Sequence, residues 1–185
     1  MKVISVNIGD KRKVKWQNKT IETGIFKFPV EEPIFLDLED VKNDNVVDRK
    51  YHGGLEQAVY AYGEQHYEFW KGLYPKKDWN YGMFGENLTI SGLDETNIHV
   101  GNIYQLGEAK IEVTKSRQPC FKLGIRFNDP SIVEQFWNTT RCGVYFKILK
   151  TGLVAKNDEL LLLNTIANNL TIAEVYQSKK SKNGK

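Results

Sequence analysis

The sequence predicts a mainly β domain with a few short helices, and three observations support that prediction. Short stretches of alternating polar and apolar residues recur along the chain, among them Val3–Ile8, Gln57–Tyr62, Lys110–Thr114 and Cys142–Leu149. Turns that contain glycine separate many of these stretches. Only two segments have the three- and four-residue spacing of an amphipathic helix. This pattern favours a β-barrel or a sandwich in which the helices are insertions.

The strand candidates are short and rich in β-branched and aromatic residues, which suit a pleated surface. A hairpin is predicted around Gln17-Asn18, and Asn43-Asp44-Asn45 marks a turn within another extended stretch. The predicted strands and extended stretches are Val3–Ile8, Val14–Trp16, Lys19–Glu22, Ile34–Leu38, Val41–Val47, Gln57–Tyr62, Asn87–Ile90, Ile103–Leu106, Lys110–Thr114, Cys142–Leu149 and Glu159–Leu163.

Two helices are predicted from apolar spacing and from residues that start or stop a helix. The first is Glu64–Leu73, which ends before Pro75, and His66 on its apolar face is predicted to be a core residue. The second follows Asp129, which can cap it, and Pro130, which suits a first helical position.

The length of 185 residues and the absence of an obvious linker favour one domain. We expect residues 1–163 to form this domain. Residues 164–176 form a short C-terminal extension, predicted as a strand followed by a helical turn. Residues 177–185 are predicted to be a disordered tail.

The net charge and the cysteine content limit the cellular compartments and the classes of binding partner that the sequence favours. The formal net charge is only +3, and four lysines fall in Ser178–Lys185, so nucleic acid is not an expected partner. No apolar run approaches the ~20 residues that span a bilayer, and the N-terminal residues do not resemble a signal peptide. Cys120 and Cys142 without a secretion signal indicate free thiols in a reducing cytoplasm.

Cys120 lies in the stretch most suggestive of chemistry, Arg117–Phe127. Pro119 predicts a break just beyond a strand end. No carboxylate occurs between Glu112 and Asp129, and four cations surround the thiol in sequence: Lys115, Arg117, Lys122 and Arg126. A thiol among cations loses its proton more easily, and the thiolate is the form that ligates soft metals. The alternative is a small buried hydrophobic side chain, which describes most free cysteines.

Three further segments are richer in polar and glycine residues than a scaffold requires. Arg49–Gly54 ends in Gly53 and Gly54, whose backbone can approach a ligand closely, and its His52 can orient a ligand or carry a proton. Phe84–Thr89 can place the carboxylate of Glu86 and the amide of Asn87 at the start of a predicted strand. The alternative for the first segment is an ordinary turn with a solvated histidine, and that for the second is a turn in which Asn87 hydrogen-bonds its own backbone.

The third of these segments is Thr139–Tyr145, in which Arg141 leads into a predicted strand. A guanidinium there can clamp a phosphate, although a solvated arginine is the commoner case. Together with the cysteine stretch, these segments suit a phosphorylated organic cofactor that carries a soft metal, provided that they converge in space.

In order along the chain, these segments resemble the signature of the MOSC domain family, named for the C-terminal domain of molybdenum cofactor sulfurases. The likeness is best with its small stand-alone bacterial branch, and it covers roughly residues 1–163. The matching segments are Asp48–Gly54, Ala58–Tyr62, Glu64–Trp70, Phe84–Thr89, Arg117–Leu123 and Gly143–Tyr145. Two departures are Cys142, where the branch has a small non-thiol residue, and a short C-terminal tail.

The resemblance implies a MOSC-type β-barrel and a bound molybdenum cofactor, or molybdopterin. It implies a cytoplasmic reductase that detoxifies N-hydroxylated compounds, such as hydroxylaminopurine-like bases. Cys120 would ligate molybdenum and, with His52 as proton donor, form the catalytic pair. Glu86 and Asn87 would line the substrate side. The expected cofactor-binding residues are Arg49, Gly53, Gly54, Arg117, Lys122, Arg126 and Arg141.

Two other functions remain open from the sequence. One is a non-catalytic carrier of molybdenum cofactor, or of sulfur as a persulfide on Cys120; the other is a binding domain whose thiol is incidental. The expected partners are a small-molecule substrate and a separate electron-donor protein, with neither nucleic acid nor membrane. The chain is expected to be a monomer or a homodimer.

Overall fold

The computed structural model describes residues 1–47 and 53–183. Strands dominate this part of the chain, and four short α-helices accompany them. The strands are β1 (Lys2–Gly9), β2 (Arg12–Trp16), β3 (Lys19–Thr23), β4 (Lys27–Val30), β5 (Ile34–Leu36), β6 (Val59–Gly63), β7 (Leu88–Ser91), β8 (Ile103–Leu106), β9 (Ala109–Ser116), β10 (Val144–Lys150), β11 (Gly152–Val154) and β12 (Leu160–Asn164). The helices are α1 (His66–Leu73), α2 (Phe121–Phe127), α3 (Ile132–Trp137) and α4 (Ile172–Asn183), and a short 3-10 helix covers Leu55–Gln57.

Eight strands form one mixed sheet in the order β12-β8-β9-β10-β6-β7-β1-β4. All its neighbours are antiparallel except β6 and β7, which run parallel with Ala61 opposite Leu88. Strand β6 lies near the middle of the sheet, and each of its five residues is buried. Because a strand covered on both faces needs apolar residues throughout, Val59–Gly63 contains no charged residue.

The sheet curves back toward its own edge. Lys2 and Glu159 form an isolated antiparallel bridge, and Val3 N–H donates to the carbonyl of Asp158 at 2.8 Å. In residues 1–47 and 53–183, however, no strand ladder joins the two ends of the sheet. The mainly β class is therefore confirmed, whereas the closed barrel is not.

An aromatic core fills the space between the sheet and the helices. The ring centroids of Tyr62 and Phe84 lie 4.4 Å apart, and those of Trp70 and Phe136 are stacked at 5.8 Å. All four side chains are buried, so this cluster holds α1 and α3 against β6.

Both predicted helices are present, with shifted boundaries. Helix α1 begins at His66 rather than at Glu64, and the His66 ring pairs with the carboxylate of Glu95 at 2.9 Å. Helix α3 begins one residue after Ser131, whose N–H and hydroxyl both donate to Asp129 at 2.9 and 2.7 Å. Asp129 therefore stabilises the turn before the helix instead of capping it directly.

Helix α2 was not predicted, because Pro119 and Cys120 were expected to end a strand and start a loop. Cys120 has an extended backbone and precedes the first helical residue. Asn128 closes the helix in the left-handed conformation at φ 48°, and its N–H donates to the carbonyls of Gly124 and Ile125. The extended stretch predicted at Val41–Val47 is instead a loop, apart from one bridge between Val41 and Leu36.

The C-terminal segment also differs from the prediction. In place of a helical turn followed by a disordered tail, α4 extends from Ile172 to Asn183. Thr171 and Glu174 stabilise its start reciprocally: the Glu174 carboxylate accepts from Thr171 N–H at 2.8 Å, and the Thr171 hydroxyl accepts from Glu174 N–H at 3.2 Å. Within the described ranges, no helix has both the length and the apolar character to cross a bilayer.

Candidate functional site

An inner cavity forms where five separate stretches of chain approach β6 and β10. Its walls come from the β3–β4 connection, the loop at 44–47, the backbone around Gly53, the turn before β7 and the connection from β9 to α2. Tyr60 of β6 and Tyr145 of β10 form the wall between these loops. All four predicted segments therefore contribute to one cavity, through Gly53, Asn87, Cys120 and Tyr145. In the fourth segment the contribution comes from Tyr145 and not from the predicted Arg141.

Cys120 lies on the wall of the inner cavity because β9 ends four residues earlier and α2 begins at the next residue. The thiol is not in a disulfide, and the residue is half-buried. The Cys120 carbonyl accepts from Leu123 N–H at 2.9 Å, which fixes its backbone to the first turn of α2.

Arg117 places a buried positive charge beside that thiol. Arg117 is only 6% exposed, and its Nη1 donates to the carbonyl of Phe84. The guanidinium carbon lies 5.0 Å from the ring centroid of Tyr60 and 5.6 Å from that of Phe136. Burial lowers the pKa of Arg117, but Tyr60, Tyr145 and Cys120 raise it, and the net direction is upward. The guanidinium therefore stays charged.

Two lysines add positive charge to the inner cavity. Lys122 of α2 is 8% exposed, and Lys27 of β4 is also buried. Lys27 forms an ion pair with the carboxylate of Asp44, which also accepts from Asn87 Nδ2 at 2.9 Å and from Gly9 N–H at 2.9 Å. Asp44 is thus paired with Lys27, and among the described residues no carboxylate forms an ion pair with Arg117.

Glu86 does not line the cavity, contrary to the expectation that it faces a substrate. It is fully buried, and its two carboxylate oxygens accept from Gly82 N–H at 2.9 Å and from Phe84 N–H at 3.0 Å. The hydroxyl of Thr89 donates to it at 3.0 Å, and that of Tyr67 donates as well. Burial raises the pKa of Glu86 although these hydrogen bonds lower it. Glu86 therefore holds the turn whose Phe84 carbonyl anchors the arginine.

Arg126 and Arg141 also lie away from the cavity wall, although both were predicted to bind a cofactor. The guanidinium carbon of Arg126 lies 4.9 Å from the ring centroid of Phe28, and its Nη2 donates to Asn80 at 3.2 Å. That of Arg141 lies 4.1 Å from the ring centroid of Phe69. Both side chains cover aromatic surface, a common use of arginine that sequence position alone does not reveal.

The glycine segment is described only in part. Gly53 lines the inner cavity with φ at 82°, and Gly54, also at φ 82°, donates its N–H to the carbonyl of Glu39 at 3.1 Å. Arg49 and His52 lie outside the described residues, so their proposed roles remain predictions.

Several cavity residues were not predicted as part of a site. Tyr60 was predicted only to share one face of a strand with Tyr62. Its hydroxyl donates to the carbonyl of Cys142 at 2.9 Å, and this hydrogen bond joins the cavity wall to the residues just before β10. Lys27 and Asp44 had no sequence signal beyond a lysine flanked by aromatics and a turn aspartate. Only the folded chain brings this pair together.

A second, outer groove begins on the other side of Cys120. It is formed by Lys115 and Ser116 at the end of β9, by the connection to α2, and by Lys179 of α4. Cys120, Lys122 and other residues belong to both the groove and the inner cavity, so the two are continuous.

The donor set fits an anionic organic cofactor that carries a soft metal. The half-buried thiol of Cys120 can supply one soft ligand as a thiolate. Arg117 supplies a fixed charge with the planar geometry that suits a phosphate, and Lys122 adds a second cation on the same wall. The other thiol, Cys142, is buried and is not among the described residues that line the inner cavity.

Sequence comparison identifies relatives over most of the chain. The chain is 37% identical to the uncharacterized protein YflK of Bacillus subtilis (strain 168) over 162 residues, which cover 88% of this chain and 73% of YflK. It is 30% identical to YiiM of Escherichia coli (strain K12), covering 82% of this chain and 68% of YiiM. A Gibberella moniliformis protein named reductase is 32% identical over 88% of this chain, which spans only 29% of that longer protein.

Solved structures show the same fold. The crystal structure of YiiM from Geobacillus stearothermophilus superposes with a TM-score of 0.80 at 27% identity, covering 100% of this chain and 86% of that one. YiiM from Escherichia coli superposes with a TM-score of 0.72 at 25% identity, covering 95% and 76%. The profile of the MOSC domain matches residues 48–161, which include Gly53, Asn87, Arg117, Cys120 and Lys122. The chain therefore belongs to the MOSC domain family.

Proposed function

We propose that this protein binds the molybdenum cofactor in the inner cavity and reduces N-hydroxylated compounds, with hydroxylaminopurine-like bases as the model substrates. The MOSC domain family is associated with molybdenum cofactor binding. The observation that carries the proposal is the meeting of Cys120, Arg117 and Lys122 on one wall. A soft ligand beside two buried cations matches a metal bound to a phosphorylated organic group.

The roles divide among the residues of the inner cavity. Cys120 would ligate the metal as a thiolate, and Arg117 and Lys122 would hold the pterin and its phosphate. The bound cofactor would supply two-electron oxygen-atom transfer. Arg126 and Arg141 fall outside this assignment, because their guanidinium groups cover the aromatic rings of other segments.

Reduction of an N-hydroxylamine breaks the N–O bond, consumes two electrons and two protons, and releases an amine and water. The electrons would come from a separate electron-donor protein. His52 would donate a proton to the leaving oxygen, since imidazole titrates close to neutral pH. Asn87 lines the inner cavity, and it would hydrogen-bond the substrate or the cofactor.

The relative named reductase supports the reaction class, although that name belongs to a protein of which this chain spans only 29%. Because the proposed reduction consumes two electrons, the proposal includes a partner protein that delivers them.

The direct test is reduction of hydroxylaminopurine with an artificial electron donor, using protein expressed in cells that make molybdenum cofactor. Cys120→Ala should lower turnover at least about 100-fold, because even residues that only support metal ligands cost 10–100-fold when changed. Cys142→Ala is the matched control, since Cys142 is a thiol buried away from the cavity. Wild-type turnover in Cys120→Ala would overturn the proposal.

A second candidate is a carrier that holds sulfur on Cys120 as a persulfide, or stores the cofactor without turnover. It is favoured by the position of Cys120 between the inner cavity and the open groove, where a partner can reach the sulfur. Mass spectrometry of freshly purified protein should then find one added sulfur at Cys120. Molybdenum binding without turnover would likewise favour the carrier.

A further inference from the structure

The outer groove carries positive charge that the proposed cofactor site does not use. Lys115 and Lys179 line the groove and lie outside that site, whereas Lys122 is shared with it. The described residues that line the groove include no aspartate or glutamate. Lys115 is the last residue but one of β9, whereas Lys179 belongs to α4, so the fold itself brings these two cations to one groove. Like charges held together favour an anion between them.

The state of Lys179 supports this view of the groove. The residue is half-buried, and burial together with the charge of Lys115 lowers the pKa of Lys179. In the described part of the chain, neither Lys115 nor Lys179 forms an ion pair with a carboxylate. A bound anion would therefore relieve a repulsion that the protein leaves in place.

A polar atom and an aromatic ring complete the groove. Ser116 is 2% exposed and lines the groove, and its hydroxyl has no hydrogen-bond partner among the described residues. Phe121, the first residue of α2, lines the same groove and is 51% exposed. An exposed aromatic ring beside cations is suited to a planar ring that carries a phosphate.

We propose that the outer groove binds the phosphate of a ring-bearing substrate, so that the enzyme prefers the nucleoside monophosphate of an N-hydroxylated base to the free base. Lys115 and Lys179 bind the phosphate, and Phe121 packs against the ring. Because Cys120 belongs to both the groove and the inner cavity, the ring of such a ligand lies toward the reacting centre. This substrate class rests on the proposed reductase function.

Binding to the cofactor-free protein tests the groove separately from catalysis. Adenosine monophosphate should bind the full chain at least about tenfold more tightly than adenosine in calorimetry, which corresponds to about 1.4 kcal/mol. The double variant Lys115→Met/Lys179→Met should lose this preference. The matched control is Lys110→Met/Lys150→Met, because those two lysines lie opposite each other at the far end of β9 and β10 and outside the groove.

Equal binding of adenosine monophosphate and adenosine would overturn the proposal, as would an equal loss in the control variant. Inorganic phosphate is the third probe. If it binds as tightly as adenosine monophosphate, the groove holds an anion without recognising a ring, and the proposed substrate class is wrong.

Kinetics of the loaded enzyme separate this inference from the proposed function. In wild type, KM for the free N-hydroxylated base should be higher than KM for the corresponding nucleoside 5′-monophosphate. The ratio of these two KM values should fall at least about tenfold in Lys115→Met/Lys179→Met, whereas kcat for the nucleotide should change far less. Equal KM values in wild type would refute phosphate binding by the outer groove and leave the proposed reductase activity standing. Nucleotide binding without any reduction would refute the reductase activity and leave phosphate binding by the groove standing.

Molybdenum content of the same variant distinguishes two sources of the phosphate. The proposal predicts wild-type molybdenum content in Lys115→Met/Lys179→Met, because the cofactor lies in the inner cavity. Loss of molybdenum would show that these lysines hold the cofactor's own phosphate, and it would overturn the substrate assignment.

Discussion

Arg117 sets the charge of the inner cavity, and neighbours that are not part of the cavity chemistry hold it in place. Its guanidinium donates to the carbonyl of Phe84 and lies over the rings of Tyr60 and Phe136. Phe84 in turn is fixed because its N–H donates to Glu86. Glu86 thus acts as a positioning residue, two contacts away from the proposed cofactor.

The protonation of Glu86 should make stability depend on pH in a defined direction. Burial raises the pKa of Glu86 above its ordinary 4.5, so the folded protein keeps a proton that the unfolded chain releases. Stability from this group is therefore present below the unfolded pKa and is lost as pH rises toward the folded pKa. The unfolding free energy of wild type minus that of Glu86→Gln should fall as pH rises above about 4.5.

Chemical denaturation at a series of pH values measures this difference, and Glu134→Gln, at an exposed position of α3, serves as the control. A difference that stays constant, or that grows with pH, would mean that the buried carboxyl is ionised throughout. Glu86 would then stabilise the turn as a charged acceptor.

At the residue scale, sequence chemistry predicted the centre of the site better than its surroundings. Cys120, Arg117 and Lys122 lie on the cavity wall because a short connection from β9 to α2 keeps neighbours in sequence close in space. Arg126 was placed wrongly because it lies on a later turn of α2, and its side chain reaches the aromatic residues of β4 and the preceding turn. Local sequence does not show which turn of a helix faces a cavity unless the helix itself is predicted.

At the scale of elements, α4 is docked on the protein rather than disordered. Tyr176 is fully buried, its hydroxyl donates to the carbonyl of Phe136 at 3.0 Å, and its ring stacks on Trp137 with centroids 4.9 Å apart. Ile172 N–H donates to the carbonyl of Ile98 at 2.8 Å. The helix that contributes Lys179 to the outer groove is therefore tied to the core.

Substitutions at Tyr176 should show how much this docking contributes. Tyr176→Phe should lower the unfolding free energy by about 1 kcal/mol, because it removes one buried hydrogen bond. Tyr176→Ala should lower it by roughly 3–5 kcal/mol, as expected for loss of a buried aromatic side chain. Urea denaturation measures both, and Gln177→Ala on the exposed face of α4 should stay within about 0.5 kcal/mol of wild type. A Tyr176→Ala protein as stable as wild type would mean that α4 does not dock in solution.

Helix α2 was not predicted and α4 was predicted only as a helical turn, and the two helices had different signals in the sequence. Helix α4 had a readable one, since Thr171 and Glu174 have the spacing of a capping box and form its hydrogen bonds. Helix α2 has only seven residues and follows Pro119, so apolar periodicity over so few positions cannot separate a helix from a strand end. Its buried residues Leu123 and Phe127 are four apart, which is consistent with a helix once the fold is known.

At the scale of the whole molecule, long-range pairing creates the site. Asp44 forms an ion pair with Lys27 of β4, 17 residues away in sequence, and accepts a hydrogen bond from Asn87, 43 residues away. The mainly β class followed from local alternation, whereas these contacts depend on which strands are neighbours in the sheet. For this reason the sequence alone could indicate candidate segments but not their convergence.

The molybdenum content of protein purified from cells that make the cofactor is the most direct test of the central claim. Wild type and Cys142→Ala should contain molybdenum in similar amounts, and Cys120→Ala should contain none above background while unfolding at the same urea concentration. That result would place the metal at the thiol that joins the inner cavity to the outer groove. Molybdenum retained at the wild-type level in Cys120→Ala would contradict the assignment of this thiol as the ligand.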